Sequence, residues 1–221
     1  MDGATVVVVV SGGEPPHPAV AARLPADPHL VVAADSGLDH ALALGLHVDV
    51  VVGDLDSVSA EGLARAEAAR TRVERHPQAK DHTDLELALE RAVELGATEV
   101  VAVVGVAGRF DHTLAGALLL AADRWSAVGI TAWMGTARVA PVRPARPLAV
   151  EGRAGQLLTL LAVGGPATGV TTTGLRWRLE DATLRPGSTR GVSNELAGGP
   201  ATVAVAGGVL LAILPDELGQ P

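Results

Sequence analysis

The sequence contains no cysteine and no tyrosine, and aromatic residues make up only 2% of its 221 positions. Without cysteine, disulfide bonds and thiolate metal sites are excluded. Hydrophobic residues still make up 48% of the chain, so a sizeable core is available, and it must be aliphatic. There is no run of basic residues and the formal net charge is −8, which argues against nucleic acid or an anionic membrane as a partner.

Long hydrophobic runs are also missing. The apolar stretch at residues 5–10 is too short to span a bilayer, and it lacks the basic flank and cleavage site of a signal peptide. We therefore expect a protein of the cytoplasm. A length of 221 residues suits one large domain or two small ones.

Charge is unevenly distributed along the chain. Residues 1–136 carry a net charge of −10, whereas residues 137–221 carry +2, and all seven histidines lie at or before position 112. The chemistry is therefore expected in the first part.

The first part alternates between strand-like and helix-like segments. Continuous apolar runs at 6–10, 30–34, 48–52 and 100–104 predict strands buried on both faces. Residues 84–95 have the apolar spacing of a helix, and Gly96 stops it. This alternation predicts an α/β domain at 1–136, with a mostly parallel sheet flanked by helices. Ligands bind such sheets beyond the carboxyl ends of the strands.

The pattern changes after residue 136. Residues 141–147 read Pro-Val-Arg-Pro-Ala-Arg-Pro, which we expect to form neither a helix nor a central strand. Short β-like pieces follow at 156–163, 169–173, 176–180 and 201–214. Their spacing predicts an all-β domain at 137–221.

Aspartates cluster where the predicted strands end. Gly53-Asp54-Leu55-Asp56-Ser57 follows one strand, and Lys80-Asp81-His82-Thr83-Asp84 precedes a helix. Oxygen ligands of this kind hold Mg²⁺, so the motifs indicate a metal–polyphosphate site. The alternatives are ordinary turn and capping chemistry, with Ser57 or Asp81 as helix caps. Lys80 is the only lysine beside sixteen arginines, which favours a compact charge placed for phosphate.

A glycine-containing motif, Gly105-Val-Ala-Gly108-Arg109-Phe110-Asp111-His112, also follows a strand and opens a helix. Its glycines permit close approach to phosphate, and Arg109 can clamp it. The motif is neither a Walker A loop nor a dinucleotide fingerprint. His112 alone is typical of a helix-start or packing residue.

Two motifs stand out in the second part. They are Thr171-Thr-Thr-Gly-Leu-Arg-Trp177 and Gly191-Val-Ser193-Asn194-Glu195. Trp177 is the only aromatic residue after position 136, and a planar ligand would stack on such a ring. The alternatives are core packing for Trp177 and a turn for Ser193-Asn194.

Taken together and in this order, the motifs resemble those of the thiamin pyrophosphokinase family. The motifs of that family are Asp-Gly-Gly, Gly-Asp-Phe-Asp-Ser, Asp-x-Thr-Asp, Gly-Arg-x-Asp-His, Gly-Leu-x-Trp and Ser-Asn. The resemblance spans residues 35–195. It implies a C-terminal β-sandwich-like domain, a homodimer with active sites at the domain and subunit junction, and transfer of the diphosphoryl group of ATP to thiamin, which releases AMP.

The resemblance also implies roles for individual residues. Asp54, Asp56 and Asp84 are expected to hold Mg²⁺, and with Lys80 and Arg109 they form the expected catalytic set. Thiamin is expected to contact Trp177, Ser193 and Asn194. The residues expected to bind the nucleotide or its metal are Asp35, Ser36, Gly37, Asp81, Thr83, Gly108, Asp111 and His112.

The sequence departs from the family pattern at three positions, namely Ser36, Leu55 and Val192. None of them removes a charged group, so activity is expected to survive. Two alternatives stay open: a related diphosphokinase that acts on a hydroxymethyl pterin, and a non-catalytic nucleotide-binding regulatory protein. The first has no need of Trp177 with Ser193-Asn194, and the second would tolerate loss of an aspartate.

Overall fold

A computed structural model describes residues 3–78, 81–106 and 109–219. The chain divides into two compact units. The first runs through Gly116 and also takes Ala132–Gly135, and the second takes Ala117–Thr131 and the chain from Thr136 onward. The domain limits of 1–136 and 137–221 stay a prediction. So do the expected roles, which are catalysis with binding of ATP and Mg²⁺ for the first domain and thiamin binding with dimerisation for the second.

The first unit is built on a parallel sheet with the strand order β4-β3-β2-β1-β5, followed by β6. Strand β1 pairs in parallel with β2 and with β5, and β3 pairs in parallel with β2 and with β4. The strands are β1 (Val6–Ser11), β2 (Leu30–Ala34), β3 (Val50–Gly53), β4 (Arg72–Arg75), β5 (Glu99–Val104) and β6 (Gly129–Met134). Only the last three residues of β6 belong to this unit.

Among the described residues, four α-helices accompany these strands: α1 (Gly37–Ala43), α2 (Ala60–Ala69), α3 (Asp84–Glu94) and α4 (Phe110–Leu120), of which the last four residues belong to the second unit. Two short 3-10 helices lie at Pro18–Arg23 and Asp123–Trp125. Helix α3 packs on β1, β2 and β3, and α1 packs on β1 and β2. Strand β1 is the middle of this core, since Val7, Val8, Val9 and Val10 are fully buried. A continuous valine run suits this position because its strand has a neighbour on each side and helices above the sheet.

The second unit is rich in antiparallel strands, in the order β7-β13-β9-β12-β8, with β10 and β11 paired to β9. Its strands are β7 (Ala137–Val142), β8 (Leu148–Gly152), β9 (Leu157–Thr173), β10 (Ala182–Leu184), β11 (Asn194–Glu195), β12 (Gly199–Ala204) and β13 (Gly207–Leu214). An aliphatic core fills this unit, with Leu158, Leu160, Val203 and Leu210 fully buried or nearly so.

The predicted fold class is confirmed, and four local predictions are wrong. Residues 201–214, predicted as one β segment, form two strands, β12 and β13, which are separated at residues 205 and 206. Residues 156–163 and 169–173 form one long strand, β9, which pairs with β13 along its first part and with β12 near its end. Pro141 lies within β7, opposite Leu211, although the proline-rich stretch was not expected to enter a sheet in this way. Residues 176–180 form no strand.

None of the helices in the described part of the chain combines the length and the hydropathy needed to span a bilayer. The cytoplasmic location stays a prediction.

Candidate active site

Three aspartates meet where β2 and β3 end. Asp35 follows β2, and Asp54 and Asp56 follow β3. The strands are parallel neighbours, so their carboxyl ends lie side by side. One carboxylate oxygen from each of these residues lies within 4.8 Å of the other two, and the set could hold a metal ion. The structure thus brings together two of the three predicted metal ligands and adds Asp35, which was expected to bind nucleotide or metal.

Asp84 approaches the same place from the start of α3. Gly53, at the end of β3, has a φ of +137°, and a Cβ atom there would lie 3.1 Å from Oδ1 of Asp84 and 3.3 Å from Cβ of Asp35. Glycine therefore suits this position, both for its backbone angle and for the room it leaves. The role of Asp84 as a metal ligand stays a prediction.

The helix caps differ from the alternatives that the sequence offered. The hydroxyl group of Thr83, rather than Asp81, caps α3 by accepting from the N–H of Glu86 at 3.3 Å. Helix α2 is capped by Ser59, whose Oγ accepts from the N–H of Gly62 at 2.9 Å. Asp81 is exposed. Neither Ser57 nor Asp81 is therefore the helix cap. The side chain of Ser57 is available to the aspartate cluster.

Hydrogen bonds orient the clustered carboxylates. The hydroxyl group of Ser57 donates to Oδ2 of Asp35. The N–H of Asp56 donates to Oδ1 of Asp54 at 3.1 Å, and Nε2 of Gln78 donates to Oδ2 of Asp56 at 3.0 Å. Oδ1 of Asp35 is buried and has no hydrogen-bond partner among the residues that the structure describes. A buried carboxylate oxygen without a partner is costly, and a cation would satisfy it.

The turn that carries two of these aspartates is conformationally unusual. Leu55 has a φ of +63° and Asp35 has a φ of +50°, a region that residues other than glycine occupy uncommonly. Leu55 is buried between half-buried Asp54 and exposed Asp56. Backbone strain of this kind concentrates at functional sites.

Like charges crowd the cluster. The negative charge of Asp54 raises the pKa of Asp56 above its ordinary value of 3.8, and burial, Asp35 and Asp84 raise it further. A bound cation would relieve this repulsion, so the cluster fits a metal ion on both geometric and electrostatic grounds.

The crowding predicts that Asp56→Asn raises thermal stability at neutral pH in the absence of metal. A raised folded-state pKa means that ionised Asp56 opposes folding above that pKa, and the opposition disappears below the ordinary value of 3.8. Melting temperatures of the two proteins, measured in EDTA from pH 3 to 8, should diverge only above about pH 4. If the two melting temperatures differed by the same amount at every pH, repulsion between ionised carboxylates would not be the cause.

Arg109 and Asp111 form a pair within their own motif. Nε of Arg109 donates to Oδ1 of Asp111 at 3.1 Å, and Nη2 donates to Oδ2 at 2.5 Å. Hydrogen bonding from Arg109 lowers the pKa of Asp111 to about 2. Both residues and His112 are exposed at the start of α4. The two remaining predicted residues of these motifs, Lys80 and Gly108, lie outside the described residues.

The segments that follow β1, β2 and β5 touch through their glycines. A Cβ atom on Gly37 would lie 2.7 Å from the carbonyl carbon of Val10, and one on Gly105 would lie 2.8 Å from Cα of Gly13. A Cβ atom on Gly12 would collide with the hydroxyl group of Ser36. Backbone contact therefore explains Gly37, and the predicted binding roles of Ser36 and Gly37 stay predictions.

In the second unit, Asn194 holds the main chain of Trp177. Asn194 is buried, its Nδ2 donates to the carbonyl oxygen of Trp177 at 2.7 Å, and its Oδ1 accepts from the N–H of Trp177 at 3.1 Å. Ser193 is exposed, and its N–H donates to Oγ1 of Thr159 at 3.0 Å. Trp177 is 52% exposed, so core packing does not explain it. Direct contacts of these residues with thiamin stay predictions.

Solved structures share this fold over nearly the whole chain. A thiamine pyrophosphokinase from Bacillus subtilis superimposes with a TM-score of 0.81 at 25% identity, covering 95% of this chain and 98% of its own. The thiamin pyrophosphokinase of Geobacillus thermodenitrificans gives a TM-score of 0.78 at 25% identity, covering 94% and 96%. This shared fold places the chain in the class of the pyrophosphokinases.

Sequence comparison makes the assignment specific. Residues 21–129 match the model described as thiamin pyrophosphokinase, catalytic domain, and residues 148–210 match the model described as thiamin pyrophosphokinase, vitamin B1 binding domain. The thiamine pyrophosphokinase of Bacillus subtilis (strain 168) is 26% identical over 185 residues, which are 83% of this chain and 86% of that protein. The chain belongs to the thiamin pyrophosphokinase family, whose enzymes transfer the diphosphoryl group of ATP to thiamin.

Proposed function

We propose that the aspartates at the ends of β2 and β3 hold Mg²⁺ and the phosphates of ATP for the thiamin pyrophosphokinase reaction. In that reaction the hydroxyl oxygen of thiamin attacks the β-phosphorus of ATP and loses its proton. The bond from the β-phosphorus to the oxygen bound to the α-phosphorus breaks, so that thiamin diphosphate forms and AMP leaves. The observation that carries the proposal is the carboxylate set of Asp35, Asp54 and Asp56, with oxygens within 4.8 Å of one another.

The donor set suits the metal. Mg²⁺ takes oxygen ligands and is typically bound by one or two carboxylates together with substrate phosphates. When bound, it would neutralise the negative charge on the phosphates during transfer. Asp35, Asp54 and Asp56 would hold it. Support comes from the raised pKa of Asp56 and from Oδ1 of Asp35, which has no hydrogen-bond partner in the described part of the chain. Asp84 is the fourth candidate ligand.

Cationic side chains complete the phosphate site. Arg109 is exposed, and its pair with Asp111 uses Nε and Nη2, which leaves other guanidinium N–H groups to donate to phosphate. Lys80 is the second cation that we propose for this role. Diphosphoryl transfer depends on positioning and charge neutralisation, and both side chains serve those needs.

We propose that Trp177 stacks on the aminopyrimidine ring of thiamin and that Ser193 and Asn194 bind its polar edge. The half-exposed ring of Trp177 supports the stacking. The amide of Asn194 already bonds the main chain of Trp177, so its contribution includes fixing that residue.

The test is a mixture of the protein with ATP, Mg²⁺ and thiamin, analysed for AMP and thiamin diphosphate. We expect both products in equal amounts, and neither when EDTA replaces Mg²⁺. A hydroxymethyl pterin in place of thiamin should give no AMP. AMP release with the pterin alone would favour the related diphosphokinase, and nucleotide binding without any AMP release would favour the regulatory protein.

We also propose that the enzyme is a homodimer, and helix α4 supports this. Phe110, Leu114 and Leu118 are 77%, 46% and 45% exposed, and their spacing of four residues puts them on one face of the helix. No charged side chain occurs between His112 and Ala122. Two copies that each carry a net charge of −8 would meet with least repulsion at such a surface. With Leu114 midway along it, the stripe can also pair with itself about a two-fold axis.

Leu114→Asp is expected to convert the dimer to a monomer, because a carboxylate would be buried without a partner at the centre of the contact. Sedimentation at micromolar concentration measures the change. Val73→Asp, which alters an exposed apolar side chain on β4, is the matched control and should remain dimeric. The melting temperature of the unaltered protein should rise with its concentration and with added thiamin. An active monomer at micromolar concentration would refute the dimer.

A further inference from the structure

The segment that carries Trp177 runs antiparallel to the segment after Ser193. Leu175 and Leu196 form a β-bridge, and the N–H of Arg176 donates to the carbonyl oxygen of Glu195 at 2.8 Å. Ser193 has a φ of +56°, which turns the chain out of the extended conformation. The amide of Asn194 then takes over as the hydrogen-bond partner of the main chain of Trp177. The backbone position of Trp177 is therefore fixed from one side.

The side chain of Arg176 lies over the indole ring. Its Cζ lies 4.7 Å from the centroid of the ring of Trp177, over one face. Nη1 of Arg176 donates to Oε2 of Glu195 at 2.9 Å, and the carboxylate of Glu195 is partly buried. The guanidinium is thus held between a carboxylate and an aromatic face. A planar guanidinium suits this place, since it can stack and donate at the same time.

We propose that Arg176 is a positioning residue, which covers one face of Trp177 and commits the ring to stack with thiamin on the other face. The proposal rests on the proposed stacking of thiamin on Trp177. Glu195 offsets the positive charge of Arg176, which matters because thiamin carries a cationic thiazolium ring.

Restraint of the indole ring of Trp177 is the physical reason why Arg176 should affect thiamin binding. An indole with one free face and a restrained side chain loses less conformational freedom when a ligand stacks on it. We expect the contact between Arg176 and the exposed ring to change the affinity for thiamin by about two- to fivefold. The effect should fall on the KM for thiamin and leave kcat within about twofold, because Arg176 belongs to the proposed thiamin site and not to the phosphate site.

The test is a double-mutant cycle with Arg176→Ala, Trp177→Ala and the double variant, assayed for the KM of thiamin and for kcat. We expect Arg176→Ala to raise KM about two- to fivefold, and Trp177→Ala to raise it about tenfold. In the Trp177→Ala background, Arg176→Ala should have no further effect, because it acts through the ring. Glu195→Gln should raise KM in the same direction and less, again only when Trp177 is present.

Arg178→Ala is the matched control, since it removes an exposed arginine one residue beyond Trp177 and should leave KM unchanged. Melting curves confirm that each variant is folded. Equal effects of Arg176→Ala with and without Trp177, or no effect on KM at all, would overturn the proposal while leaving thiamin stacking intact. An unchanged KM in Trp177→Ala would instead refute the stacking itself, and the role of Arg176 with it.

Discussion

Asp54→Asn is expected to lower thiamin-dependent AMP release at least about 10²-fold, the loss typical of removing a preorganised electrostatic element. Asn keeps the shape of Asp and removes the charge that would hold Mg²⁺. Asp56→Asn should behave in the same way. Initial rates at saturating ATP, Mg²⁺ and thiamin measure the change. Asp27→Asn removes an equal charge from an exposed position and should retain full activity.

The same assay decides between Asp35 and Asp84 as the third carboxylate. The structure groups Asp35 with Asp54 and Asp56, and it brings Asp84 close to the end of β3. The variant that loses more activity, and whose loss is partly restored by raised Mg²⁺, identifies the metal ligand. If the Asn variants at positions 35, 54, 56 and 84 all kept near-full turnover, the metal site would not lie at this cluster.

Gly37→Ala is expected to destabilise the protein by at least about 2 kcal/mol. Ala is favoured over Gly inside a helix by about 1 kcal/mol. Against this, the new Cβ would lie 2.7 Å from the carbonyl carbon of Val10 and 2.8 Å from the carbonyl carbon of Ser11, which are backbone atoms of the central strand and cannot rotate away. Overpacking a core costs about 1–3 kcal/mol and occasionally more, and here a rigid backbone makes the high end apply.

Thermal unfolding measures the loss, which should appear as a fall in melting temperature of about 4–8 °C for a chain of this length. Gly165→Ala is the control, because a Cβ atom there would meet nothing within 4 Å. A melting temperature for Gly37→Ala equal to that of the control would mean that α1 and β1 can separate without cost.

Continuous runs of apolar residues made four strands of the first unit predictable. The runs at 30–34 and 6–10 correspond to β2 (Leu30–Ala34) and β1 (Val6–Ser11) almost residue for residue. Strand β4 could not be found in this way, because its sequence Arg-Val-Glu-Arg lacks the apolar character of a buried strand. It is a strand because it pairs with β3 at the edge of the sheet, which is a tertiary contact.

The sequence predicted which types of residue form the site and at which strand ends they lie. The sequence placed Asp35, Asp54 and Asp56 at one sheet edge, and there they meet. It could not reveal Gln78, which reaches Asp56 from a loop without a motif. Nor could it reveal the pairing of Ser57 with Asp35, because a serine before a helix is typical of a cap and the true cap, Ser59, lies two residues later.

The position of β1 between β2 and β5 also affects folding during synthesis, because β5 is made much later than β1 and β2. Thr5 and Thr98, which flank the β1–β5 pairing, lie 93 residues apart, whereas β2 is available soon after β1. At a synthesis rate of about 5–20 residues per second, β1 waits about 5–20 seconds on the ribosome with one edge open. We expect an open edge on a valine-rich strand to favour aggregation during this time, so rare codons between 40 and 100 should lower the yield of folded enzyme.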